Sequence, residues 1–156
     1  MSEALSATLR AQGGLLSDFA EGLTAAKAPN PTGSRTTGRE ADYALLLEMI
    51  WEGARLHYEP WLDDHDLALL LGDQLYAMGL LRLAALGDLE AVAELSDVIS
   101  LVAQAHACRD PELADAAWEA GVAAIARGST PAHRAAKARA RAGERGAVQA
   151  LRDAAK

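Results

Sequence analysis

Apolar residues recur at helical spacing along nearly the whole chain. Leu5, Leu9, Leu15, Leu16, Phe19 and Leu23 trace one side of an N-terminal helix that Ser2 can cap, with Gly13-Gly14 weakening or bending it. Residues 28–39, APNPTGSRTTGR, break the pattern and read as a loop. From Glu40, the spacing of Tyr43, Leu46, Leu47, Ile50, Ala54 and His57 predicts a second helix, which Pro60 ends or follows. Asp63-Asp64-His65-Asp66 then leads into a run from Leu67 to Leu86 that is apolar on nearly every side. Such a helix belongs inside a bundle or against a partner.

Gly87 supplies a C-cap and Asp88 an N-cap, so a tight turn joins this run to a helix whose predicted stripe is Leu89, Val92, Leu95, Ile99 and Val102. The two are expected as antiparallel neighbours. Asp110-Pro111 starts a helix with Leu113, Ala117, Trp118, Val122 and Ile125 apolar, ending near Gly128. Thr130-Pro131 starts the last, an Ala/Arg helix over 130–156 that Gly143 and Gly146 make less secure. The sum is an all-α chain, read as a single helical domain over 1–156 with a bundle of about six helices.

Composition sharpens this. The chain is 51% hydrophobic with few aromatics and one cysteine, Cys108, which excludes an internal disulfide framework. MSEALSATLRAQGG has no basic start or apolar run of a secretory signal, and the expectation is a cytoplasmic protein. The apolar run approaches membrane-spanning length, yet holds Asp73, Gln74 and Arg82, which argues against a span. The net charge of −7 is uneven: residues 1–126 carry 7 Lys/Arg against 20 Asp/Glu, and residues 127–156 carry 8 against 2. The basic tail has no aromatics, and Arg134, Lys137, Arg141 and Arg145 recur at helical spacing. That describes a solvated helix face, peripheral or resting on the acidic body, rather than a nucleic-acid surface.

Few residues suggest chemistry. Asp63, Asp64 and Asp66 are hard oxygen ligands and the candidates for Mg²⁺, although acids at a helix entrance also serve as caps. No H-E-x-x-H occurs. Gly33 to Glu40 mimics the glycine spacing of a phosphate loop, but Arg39 and Glu40 replace its Lys and Ser/Thr, and no strand is predicted before it. Asp73 lies within the apolar run, where an unpaired carboxylate is costly, and Arg82, nine positions on, is half a turn round the helix. Asp73 therefore reads either as a hydrogen-bonded structural aspartate or as facing a polar cavity or another chain. Gly72 and Gly79 fall nearly in line and permit a close helix approach, within the chain or across a dimer.

Residues 69–107, LLLGDQLYAMGLLRLAALGDLEAVAELSDVISLVAQAHA, resemble the central helices of the all-trans polyprenyl diphosphate synthases. There a Gly-Asp pair opens a long apolar helix, followed by a Gly-Asp turn and a helix leading to a Gly-Glu element. Here Ala103-Gln104 stands at the Gly-Glu position, neither Asp-Asp-x-x-Asp motif is present, and Gly38-Arg39 matches the diphosphate-binding Gly-Lys-Arg poorly. Without those ligands an allylic diphosphate has no electrophilic assistance.

A short chain lacking these motifs resembles the small non-catalytic subunit of heterodimeric hexaprenyl or heptaprenyl diphosphate synthases. The resemblance implies a truncated isoprenoid-synthase fold and a regulatory subunit that pairs with a catalytic synthase chain and influences product length. Gly72, Asp73, Tyr76, Gly79 and Leu83 would lie at the contact. It implies no cofactor of the chain's own, Mg²⁺ entering only through the partner or the Asp63–Asp66 cluster. The alternative, drawn from the apolar helix alone, is a self-associating helical protein, such as a homodimer, that binds an apolar ligand or a different partner.

Overall fold

The computed structural model describes residues 2–22, 30–59 and 62–156; Leu23, Pro60 and the first two positions of the expected 28–39 loop lie outside them. The chain is all-α. Its helices are α1 (Glu3–Gln12), α2 (Gly14–Gly22), α3 (Glu40–Tyr58), α4 (His65–Leu86), α5 (Leu89–Cys108), α6 (Pro111–Arg127), α7 (Pro131–Arg141) and α8 (Ala147–Ala154). Among the described residues the expected six become eight because the first and last each divide at a glycine pair. Gly13 and Gly14 take φ of 72° and 58°, and Gly143 and Gly146 take 66° and 77°. At these angles the i to i−4 ladder is interrupted and a new helix begins.

Contacts divide the chain into two units, Met1–Pro29 with Ala41–Leu86 and Asn30–Glu40 with Gly87–Lys156. In the first, Leu5 and Leu9 of α1, Leu16 and Phe19 of α2, Met49 and Leu56 of α3 and Leu71 and Leu75 of α4 share one core. Ser2 caps α1 by accepting from the Leu5 N–H, while its own N–H and hydroxyl donate to the buried Glu48 of α3. One turn on, Glu52 is also buried and accepts from Arg55 at 3.0 Å. Burial pushes the Glu52 carboxyl above its usual range, and Arg55 offsets only part of this.

The glycines of α4 are used inside the chain. A Cβ at Gly72 would lie 2.8 Å from the His57 ring and 3.1 Å from the Gly53 carbonyl, and one at Gly79 would lie 2.6 Å from Ile50. The close approach left open by the sequence is therefore between α3 and α4. The buried residues of α4, Ala68, Leu71, Gly72, Leu75, Gly79 and Leu83, occupy one face. The opposite face is exposed, so the chain itself does not enclose α4 on all sides.

The helix buried nearly all round is α6 in the second unit, which between Ala116 and Ala126 leaves only Glu119 exposed. Asp110 caps it by accepting from the Leu113 N–H at 3.0 Å, and Pro111 occupies its first turn, where the missing N–H costs nothing. Its principal neighbour is α5, whose buried face is Ala91, Glu94, Leu95, Val98, Leu101, Val102 and Ala105. This corrects the predicted stripe: Leu89 is 79% exposed and Val92 faces outward. The stripe was misplaced because its true line includes an acid, Glu94, which a hydropathy pattern assigns to solvent.

The 30–40 segment is an ordered clasp. Thr36, fully buried, donates from its hydroxyl to the Pro31 carbonyl and accepts from the Gly33 N–H. Arg35 donates from its backbone to the Ala126 carbonyl at 2.9 Å and from its guanidinium to the Ile125 carbonyl at 3.2 Å. These carbonyls belong to the last turn of α6, which has no further turn to bond to. Gly33 lies so close that a Cβ would sit 2.3 Å from the Ala126 carbonyl oxygen. Within the stretch that mimics a phosphate loop, Gly33 and Arg35 thus hold this segment against α6.

At the α5–α6 contact a Cβ on Gly121 would meet Val98 Cγ2 at 2.1 Å. Gly121→Ala gains up to about 1 kcal/mol of helix propensity but overpacks a contact, at about 1–3 kcal/mol. A net loss of stability in urea titration is expected, and pairing it with Val98→Ala should recover part of it. Equal losses in the presence and absence of Val98 would refute the contact.

Candidate functional site

The residues singled out on α4 divide between its two faces. Gly72, Gly79 and Leu83 are buried. Tyr76 is half-buried at the border, its ring 5.3 Å from that of His57 and against Gly53. Burial, with the neighbouring Tyr58 and Asp73, pushes the Tyr76 hydroxyl well above its ordinary range, so it stays a neutral phenol. Asp73 is 74% exposed, not enclosed in apolar surroundings, and pairs with His57 Nε2 at 3.2 Å. Its neighbour Gly72 points toward α3, and the 100° step between successive residues carries Asp73 toward water.

Around the same outward side lie Leu70, Leu80 and Leu81, exposed to 47%, 42% and 73%, together with Ala77 and Ala84. Asp66, at the helix start, and Asp73 are the acids on this stripe, and no Lys or Arg lies on it. It is a largely apolar strip along a 22-residue helix, interrupted by Asp73, which pairs with His57. Among the described residues α4 alone is long and apolar enough to cross a bilayer by length and composition. Its glycine face, however, is occupied by α3.

Asp63, Asp64 and Asp66 are exposed at the entrance of α4, where Asp64 Oδ1 accepts from the Leu67 N–H at 3.0 Å. That is a capping contact. Among the described residues no three His, Cys, Asp or Glu side chains are grouped to hold a metal. Cys108 is exposed at the end of α5.

Sequence reasoning missed a buried ionic cluster in the second unit. Glu94 and Asp97, on one side of α5, face His133, Lys137 and Arg141 of α7. Lys137 Nζ lies 2.8 Å from both Glu94 oxygens and 2.6 Å from Asp97, and Arg141 completes a pair with Asp97. His133 Nε2 is 2.8 Å from Glu94, and because a carboxylate only accepts, this nitrogen carries the hydrogen. Lys137 is only 6% exposed, so the tail is not simply a solvated basic face. It rests on acids, as its charge suggested. The matching spacings, 94/97 and 133/137/141, were the available signal.

Burial alone would raise the Glu94 pKa, but hydrogen bonds from His133 and Lys137, together with their charge, outweigh it and hold the carboxyl at about 2. The ordinary value is 4.5, so the native state binds this proton less readily than the unfolded chain. The resulting stability, about 3 kcal/mol, is complete above pH 4.5 and is lost as the pH falls toward 2. Glu94→Gln should remove a comparable amount at pH 7 and flatten that part of a stability–pH profile. An unchanged acid limb would contradict the cluster.

No family model, no curated protein and no solved structure matches this chain. What the protein does must be read from its own surfaces and charges.

Proposed function

We propose that this protein is a non-catalytic helical subunit that works by pairing through the outward face of α4. The observation that carries the pairing is the set of exposed leucines 70, 80 and 81 on one rigid helix face. Moving a leucine fully from water into a contact contributes about 2 kcal/mol, so a strip of three repays association if the partner offers an apolar groove. Tyr76 and His57 supply polar groups at its border, as interface rims do, and Asp73 within the strip is paired with His57.

The resemblance of residues 69–107 to the polyprenyl diphosphate synthases supports a particular partner, the catalytic chain of such an enzyme, with this chain influencing product length. The strip also suits a second copy. Leu70, Ala77, Leu81 and Ala84 alternate large and small residues at steps of seven, four and three on one helix face, which allows two identical helices to interdigitate.

Light scattering of the chain alone and mixed with a catalytic synthase chain separates these readings. A mixed complex is expected, weakened at least about tenfold by Leu81→Glu, together with a change in product length that the variant abolishes. A homodimer disrupted by Leu81→Glu, with no effect on the synthase, would favour self-association. A monomer indifferent to both would overturn pairing through α4.

A further inference from the structure

Between α5, α6 and α7 in the second unit, beside the Arg35 clasp, lies an open cleft of about 430 Å³, within the size range of small-molecule sites. Four cations line it, Arg35, Arg134, Lys137 and Arg141, with three acids, Glu90, Glu94 and Asp97. We infer that this cleft binds a small organic oxyanion, its phosphate or carboxylate group held by Arg134 and Ser129 at the opening of α7.

The charge pairings locate the anion. Arg35 is engaged by Asp88 at 2.8 Å and Glu90 at 3.1 Å, Lys137 by Glu94 and Asp97, and Arg141 by Asp97. All three acids of the cleft are thereby matched. Among the described residues Arg134 meets no carboxylate and donates to the Ser129 carbonyl, at 3.1 Å. The hydroxyl of Ser129, a residue that also lines the cleft, is buried with no hydrogen-bond partner among the described residues. A guanidinium with unspent donors and an unsatisfied buried hydroxyl within one cleft match the donor pattern an oxyanion needs.

The helix opening adds to this: α7 starts at Thr130-Pro131, between the lining residues Ser129 and Arg134, and although Thr130 already accepts from the His133 N–H, the positive end of the helix favours an anion there. Ala93 and Ala124 contribute apolar wall for the remainder of the ligand. The site requires nothing from α4, so it stands or falls independently of the pairing proposed above.

Calorimetric titration of the full chain at constant ionic strength, with inorganic phosphate, phenyl phosphate and benzoate as probes, tests the inference. Saturable binding of at least one probe is expected. Arg134→Gln should weaken it about tenfold, the usual effect of losing a charge-assisted hydrogen bond, and Ser129→Ala severalfold. Arg139→Gln should leave it unchanged, because that guanidinium is used by Glu144 and the Arg145 carbonyl. Arg134 is exposed, so its variant is expected to keep the native circular dichroism spectrum. A preference between phenyl phosphate and benzoate assigns the anionic group. No saturable binding of any probe, or equal weakening by Arg134→Gln and Arg139→Gln, would overturn the inference.

Discussion

Small residues set the distance at which these helices meet, and much of the architecture follows from that spacing. In the first unit Gly53, Gly72 and Gly79 bring the backbones of α3 and α4 together until glycine meets carbonyl oxygen. In the second, α6 is lined by alanines and Gly121, against which Val98 of α5 is seated. Close approach gains dispersion contact along the helix length but leaves little room for large side chains between the axes. The leucines of α4 that do not fit the α3 side are directed outward, and the exposed strip is a geometric consequence of the glycine face opposite it.

The same economy places charge inside the protein. Alanine buries little apolar area per residue, and α7, an Ala/Arg helix, has few large apolar side chains with which to dock. It is instead held by Glu94 and Asp97 reaching His133, Lys137 and Arg141. A buried ion pair is weak evidence of net stability, because desolvation offsets much of the attraction. It does fix register: Lys137 reaches both carboxylates from only one alignment of α7 on α5. That alignment also shapes the neighbouring cleft and leaves Arg134 outside the pairing.

Local chemistry made most helix boundaries legible. Ser2, Asp64, Asp88, Asp110 and Thr130 all cap through their side chains at the helix starts that spacing and residue type predict. The outward-facing strip was only half legible. Its apolar character is plain in the sequence, but the choice of Gly72 and Gly79 for an internal contact depends on α3, far away in the chain. Asp73 reads as an enclosed carboxylate because it lies within an apolar run; it is exposed because Gly72, Leu71 and Leu75 turn toward the interior and carry Asp73 to the opposite side, beside the exposed Leu70 and Ala77. The α5 stripe holds at Leu95 and Val102 but not at Leu89 and Val92, for a related reason: patterning treats Glu94 as a solvent residue, and its partners on α7 make its burial tolerable.

By itself the sequence determined the helical class, the caps, the breaks, the loop and the uneven charge, because these depend on backbone propensities and interactions between near neighbours. The tertiary structure alone decided which apolar faces are covered, that α6 rather than α4 is enclosed, and that part of the basic tail is buried on acids. Those outcomes depend on pairings across long stretches of chain, where a residue's partner, and not its own hydropathy, fixes whether burial is favourable.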